Sequence, residues 1–559
     1  MTKIINLRPD KSLLNSNFEK YQFSSDVVVV TKEKSLTKDV YRQEPLTGQD
    51  SWLEARLFAF HNHLFENPFD SSCWFCDDDL KIWKINKDGD LLHVHTLPDN
   101  NKEKLYNPTI TFASDKIIVL TSGGDSIEFL IMSNDDTGDN KSFSIDKIES
   151  GILMDSKLIN EKLQIIVAMC SITDSDIKNK KHSKISLLTF TIDNNNLPEK
   201  IDIFKRQELT VNGPVEYIFV ESNGEFINML SQDKAVFKFD SLNKIKQDVD
   251  EVNDKNDVKI PKYCWSQDED SLTVWIKIPE KYLNAKKNVK ITANTITVDV
   301  EETILIQGET QYRLDAETAT WNNEKDALKL ELMKSVSGQM WNELIKGDNG
   351  GEHLPNAALA DEIHSRLAHL CSDEPVTAES LQPTVGFNVD QLEECDLEGK
   401  DNYIQRINII NHTTTHLAML GSHNHILFTQ KLPSSQTICI RHDHDGCVWN
   451  TQDVNDDDDN NIDNWKICHT NTFPGFGYVE ASKSNKRFCI SPRKCEYVAI
   501  IEHARHAFIY ERPINNSTIA KQKIVDLGPD SQPIMGASAT KNYLILLTKN
   551  KLYQLKITQ

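Results

Sequence analysis

An all-β fold, with a small antiparallel β-sandwich inserted into a larger β-propeller assembled from both flanks, is predicted by three observations. Strand signals recur along most of the 559 residues, with apolar and polar positions alternating between turns rich in Asn, Asp and Gly. A hairpin-like unit returns, in the first half, at intervals of about 40–60 residues, the spacing of propeller blades. A third segment of about 90 residues has the size of a compact sandwich, and it lies between two strand-poor stretches, Gln247–Asp257 and Gly347–Asp401.

The clearest repeat units are Lys116–Thr121 with Ser126–Leu130, Phe226–Leu230 with Ala235–Phe239, and Tyr543–Leu547 with Leu552–Leu555. Related units are Cys73–Ile85, Leu163–Ile192, His416–Phe428 and Tyr497–Tyr510. Each reads as a strand, a polar turn and a second strand, the building pattern of a blade. No Gly-His…Trp-Asp signature accompanies them, so an irregular pair of β-sandwiches is the competing arrangement. Each flank supplies three or four units, so a closed ring needs both. The expected boundaries are residues 1–256 for one propeller half, 257–346 for the sandwich, 347–401 for a helix-containing linker and 402–559 for the other half. In the linker, Leu359, Ile363, Leu367 and Leu370 make the apolar stripe of one helix. Its usual meaning is docking onto the chain's own body.

Within the sandwich segment, Leu272, Val274, Ile276 and Ile278 alternate with Thr273, Trp275 and Lys277 as a half-buried strand. Val289 with Ile291, Ile296 with Val298 and Val300, Ile304 with Ile306, and Leu328 with Leu330 and Leu332 supply four more. Trp265, Trp321 and Trp341 punctuate the segment and are expected to fill its core.

Composition excludes several function classes. A net charge of −22, from 62 basic and 84 acidic residues, argues against direct nucleic-acid or anionic-membrane binding, which needs clustered Lys and Arg. No run of 18 apolar residues exists to span a bilayer. The opening MTKIINLRPD lacks the apolar centre of a secretory leader. The eleven cysteines form no compact disulfide framework, which with that opening predicts reduced thiols and a cytoplasmic and nuclear setting.

Candidate chemistry is sparse. Cys73-Trp74-Phe75-Cys76 has redox spacing but sits in a strand ahead of Asp77, Asp78 and Asp79, whose charges would raise the thiol pKa. His412, His416, His423 and His425, then His442, Asp443, His444, Asp445 and Cys447, offer metal-ligand types without a metal-ligand spacing. In a strand, His442 and His444 would share one face. Asp453–Asn464 departs from a calcium loop at its sixth position, Asp458, and its twelfth, Asn464. Walker A, Gly-x-Ser-x-Gly and His-Glu-x-x-His motifs are absent. No enzyme, catalytic residue, cofactor or metal is therefore expected.

The sandwich segment carries a resemblance. Tyr263-x-Trp265-x-Gln267 precedes its first alternating strand, Trp321 stands in the middle, and Trp341 is followed by Leu344. In order, spacing and strand count the segment resembles the CS domain of the NudC family and of other co-chaperones of the ninety-kilodalton heat-shock chaperone. Gln391–Asp396, Arg441–Asp443, Gly477–Lys483 and Phe508–Tyr510 extend the likeness to the C-terminal half. So does the layout of β region, central CS domain and second β region. The resemblance implies a CS sandwich set into a propeller and a co-chaperone or adaptor that binds protein clients. Other β-propeller proteins and heat-shock chaperones are among the partners it implies. The candidate partner-binding residues are Tyr263, Trp265, Gln267 and Trp341, the three aromatics first through the integrity of the module and only secondarily through contact. No sustained heptad accompanies it, so dimerisation through a coiled coil is not expected. A scaffold subunit of RNA-processing or transport machinery, without chaperone activity, is the alternative reading.

Overall fold

The structure is a computed structural model. It describes residues 2–557 apart from short interruptions at 27, 87, 100–103, 134–139, 176–179, 195–197, 279–281, 283–284, 302, 324–326, 349–350, 422–424 and 484, and longer ones at 246–262, 355–401 and 453–464. The stripe Leu359–Leu370, His423 and the acidic loop Asp453–Asn464 lie outside the described residues.

The described strands form nine sheets, of which two belong to the inserted module and seven are the blades of a propeller. The first three blades are read in order from the chain. They begin with Phe65–Glu66, Thr109–Phe112 and Ile152–Ile159 as innermost strands. The fourth blade is composite. Val215–Val220 and Phe226–Ser231 come from before the module, and Asn402–Asn408 and Thr413–Gly421 from after it. Phe226–Ser231 pairs antiparallel with Asn402–Asn408, so the module interrupts one blade between two adjacent strands. The last three blades start at Ile426–Lys431, Lys486–Ile490 and Ile534–Ala539.

Blade-to-blade burial closes the ring. Strands that alternate apolar residues on both faces can bury each face only against the next blade. Ile118 and Leu120 of the second blade meet Trp74 and Ile82 of the first, while Ile117 and Val119 meet Ile165 and Val167 of the third. Met535, Ile545 and Leu547 of the seventh blade pack on Cys73, Phe75 and Ile85 of the first. No face of the ring is left without a neighbour there.

Residues near the start of the chain belt the outside of this ring. Lys3–Ile5 adds a parallel strand to Thr413–Gly421 of the fourth blade, and Lys20–Phe23 adds another to Ile519–Asp526 of the sixth. Val29–Ser35 pairs antiparallel with Lys551–Lys556 and completes the seventh. Tyr21 fixes the belt: it is 1% exposed and meets the rings of Phe18 and Tyr510 edge-on, each at 5.0 Å. None of this belt was expected from the sequence.

Two expected hairpins are instead connections between sheets. Phe226–Ser231 stays in the fourth blade, whereas Val236–Asp240 returns to the outer edge of the third, against Ile201–Val211. Thr413–Gly421 and Ile426–Lys431 likewise lie in the fourth and fifth blades. The second is the usual turn from an outer strand to the next inner one, and the first is a return to the preceding blade; both steps have the same local pattern as a hairpin.

The chain divides into two compact units, Met1–Lys246 with Glu374–Gln559, and Gln247–Asp373. In the second, a five-stranded sheet runs in the order Leu314–Asn323, Ala327–Lys334, Ser271–Lys277, Tyr263–Gln267, Gly351–His353. It packs on a three-stranded sheet of Lys287–Ile291, Thr295–Val300 and Thr303–Glu309. The last strand of the larger sheet, Gly351–His353, is parallel to Tyr263–Gln267 and lies beyond the boundary at 346 expected from the sequence.

Candidate protein-interaction site

Tyr263, Trp265 and Gln267 alternate along one strand and face inward, 2%, 3% and 3% exposed. Trp265 shares its row with Val274 and Leu330, both fully buried, and stacks obliquely on His353 at 4.5 Å. Tyr263 is clamped by the added strand, because a Cβ at Gly351 would stand 2.2 Å from its ring. Only glycine allows the backbone that close.

Gln267 ties the strand to the end of the module. Its Nε2 donates to the Trp341 carbonyl at 2.8 Å, and its Oε1 accepts from the Trp341 backbone N–H at 2.9 Å and from Lys334 Nζ at 3.1 Å. Lys334 also donates to the Asp268 carbonyl at 2.6 Å, and burial pushes its amine down to about 8 against the pull of Asp268, Asp270 and Glu269. Trp341 is 2% exposed and meets Tyr312 edge-on at 5.9 Å. The strand Ala327–Lys334 ends before it, so Trp341 is delivered by a turn-rich segment and not by a continued strand.

These four side chains are all buried within the module. Trp321 differs from the expectation for it. It stands opposite Leu330 on the edge strand but is 45% exposed, because it is not part of the packed cluster between the two sheets. The outward face of the five-stranded sheet carries Cys264, Trp275 and Lys329 in one row and Ser266, Thr273 and Glu331 in the next. Lys329 and Glu331 pair at 2.8 Å, and Met333 beyond them is 39% exposed. This face mixes apolar, hydroxyl and charged groups.

The other candidates stay apart. Cys73 and Cys76 are buried in the first blade; burial pushes the Cys73 thiol up to about 12, and burial then Asp77 push Cys76 up as well. Neither is a thiolate nucleophile. His412 bonds Asp240 at 2.7 Å and His425 bonds Glu480 at 3.1 Å, while His416 packs on Trp465 at 5.2 Å. His442 ends one strand and Asp445 begins the next, so Asp443 and His444 form the turn and His442 and His444 do not share a strand face. Among the described residues no group of three or more His, Cys, Asp or Glu is gathered for a metal. No described helix is long and apolar enough to cross a membrane.

Similarity to known proteins covers both the module and the whole chain. The CS domain pattern matches residues 261–334. NudC domain-containing protein 1 of Mus musculus is 30% identical over 375 residues, 64% of this chain and 63% of that one. The protein of the same name from Xenopus tropicalis is 27% identical over 590 residues, 99% of this chain and 98% of that one. Among solved structures, a nuclear movement protein from E. cuniculi GB-M1 is 20% identical and covers 15% of this chain and 98% of its own, with a TM-score of 0.14. A β-propeller domain of Cps50 (Swd1) from Myceliophteria thermophila is 7% identical and covers 95% of this chain and all of its own, with a TM-score of 0.36. The ring itself is established by the strand pairing above. The central module is a CS domain, and the chain as a whole is similar to NudC domain-containing protein 1 of the NudC family.

Proposed function

We propose that this protein is a NudC-type co-chaperone or adaptor that holds protein clients on its CS domain and on its propeller. The observation that carries this reading is the CS sandwich, closed by Gln267 and Trp341, which keeps Tyr263, Trp265 and Trp341 inside and leaves a broad mixed sheet face outside. Such a face suits reversible contact with a folded or partly folded protein. Propeller proteins are suitable clients because their strand pairs are non-local and slow to form. Heat-shock chaperones are the second class of partner proposed. The work is holding, bridging or recruitment, and no catalytic group takes part in it. All nine cysteines among the described residues are unbridged, which suits the reducing cytoplasm and nucleus proposed as its setting.

The test is affinity capture from cell extract with three baits: the full chain, the isolated module of residues 259–354, and the chain with 247–373 replaced by a short flexible linker. Chaperones and propeller proteins should follow the module. If all of them stay with the module-less chain, the co-chaperone reading fails and the chain is a propeller scaffold with an accessory sandwich.

A further inference from the structure

The centre of the propeller contains a cavity of about 460 Å³, within the usual range of small-ligand pockets. Helix α1, Trp52–Ala59, forms one wall, and the innermost strands of the first five blades line much of the rest, joined by connecting loops and by Cys170, Ile172 and Ser183 of the third blade. A capping box between Ser51 and Glu54 starts the helix, and Glu54 is held by Lys181 at 2.8 Å.

Acidic groups in the lining are answered within the protein. Arg56 of α1 meets Glu216 at 2.7 Å, Lys431 meets Asp155 at 3.2 Å, and Glu66 meets Arg493 at 3.5 Å. Lys157 donates to the Pro433 carbonyl and lies over the Phe219 ring. Three other lining atoms have no hydrogen-bond partner among the described residues: Thr111 Oγ1, Ser156 Oγ and His61 Nε2. Thr111 is 8% exposed and Ser156 2%, and buried polar atoms are normally satisfied. The tautomer of His61 follows from its other bond. The ring is hydrogen-bonded to the backbone of Pro108, which has only a carbonyl to offer, so Nδ1 carries the proton and Nε2 the lone pair. Burial pushes His61 down to about 4, so this neutral form persists at physiological pH.

We propose that this cavity is a binding site for a neutral ligand with an apolar body and a hydroxyl or carboxamide head. The head donates to His61 Nε2 and accepts from the hydroxyls of Thr111 and Ser156. The body rests against Leu57, Phe60 and Phe65. A charged ligand is disfavoured because binding it would break pairs the wall already makes. The same head group exists on free small molecules and on Tyr, Asn or Gln side chains of a peptide.

Saturation-transfer NMR and titration calorimetry on the full chain test this, with p-cresol and benzamide as free probes and acetyl-Gly-Tyr-Gly-amide and acetyl-Gly-Gln-Gly-amide as peptide probes. At least one probe should bind at millimolar concentration or tighter. Ser156→Ala and His61→Phe should each weaken it about five- to tenfold, the loss of one hydrogen bond, with an unchanged melting temperature. Preference for the free probes identifies a small-molecule site, and preference for the peptides a side-chain socket. Should His61→Phe not fold, Ser156→Ala and Thr111→Val, which remove only hydroxyls, carry the test. Absence of binding by all four probes, or equal binding by every variant, overturns the proposal.

Discussion

Arg406 donates through Nε and Nη2 to the two carboxylate oxygens of Glu221, each at 2.7 Å, and its guanidinium lies 3.8 Å from the centre of the Phe226 ring. Both side chains are 2% exposed, and they stand 185 positions apart, on opposite sides of the CS domain. A buried pair of this kind is costly to break from one side, because the survivor is left as an unpaired charge. Arg406→Met or Glu221→Leu alone should therefore cost about 3–5 kcal/mol. The double variant should cost clearly less than the sum, and urea unfolding of all three chains measures it.

Inside the CS domain the three tryptophans should separate by burial. Trp265→Ala and Trp341→Ala each empty a core position and should cost about 3–5 kcal/mol. Trp321→Ala should cost less than about 1 kcal/mol, since surface changes are usually small. Gln267→Leu removes the acceptor of Lys334 and both bonds to Trp341, and should cost about 2–3 kcal/mol. Thermal unfolding of the isolated module, followed by fluorescence, ranks the four variants.

The module should fold alone, and better with its fifth strand. A fragment of residues 259–354 should melt cooperatively at a higher temperature than one ending at 345. Gly351→Val in the longer fragment should abolish that advantage, because the new side chain would collide with Tyr263. A broad, non-cooperative melt of both fragments contradicts an autonomous domain.

Glu480 provides a pH-dependent link between the fifth and sixth blades. Burial alone would raise its pKa, but hydrogen bonds and charge from His425 and Lys486 outweigh it and bring the carboxyl down to about 2. The folded value lies below the unfolded one, so its stabilisation is complete above the unfolded value of about 4.3 and is lost as the pH falls through about 2. Glu480→Gln should be less stable by roughly 2–3 kcal/mol at pH 6. The gap should narrow steadily between pH 4.5 and 2.5 in a series of chemical denaturations.

The fold was legible wherever neighbours in sequence are neighbours in space. Leu272–Ile278 and Leu328–Leu332 announce a half-buried sheet by alternation, and the units at Lys116–Leu130 and Tyr543–Leu555 are hairpins as read. Alternation does not say which strand a segment pairs with, and so Val236–Asp240 and Ile426–Lys431 were assigned to the wrong partners. The belt was invisible for a related reason. Lys3–Ile5 and Lys20–Phe23 are short, mostly exposed, and pair with strands several hundred residues away. In the candidate site, the sequence places Tyr263-x-Trp265-x-Gln267 ahead of the first alternating strand, whereas the structure makes it a strand of its own, with all three side chains on one face. Which face is inward follows only from the second sheet. Gly351, Lys334 and the cavity around His61 depend on contacts that no local pattern encodes.

The central claim is that one ring is built from both flanks of the CS domain, and splitting the chain tests it most directly. Residues 1–257 and 401–559 are expressed as separate polypeptides, alone and together, and analysed by sedimentation and by denaturant unfolding. Neither half can complete the fourth blade, whose strands Phe226–Ser231 and Asn402–Asn408 pair across the split, or the seventh, which takes Val29–Ser35 from the first half. Alone, each should be insoluble or loosely folded; together they should form a one-to-one complex with a single cooperative transition. Two halves that are each monomeric and cooperatively folded by themselves would contradict the ring.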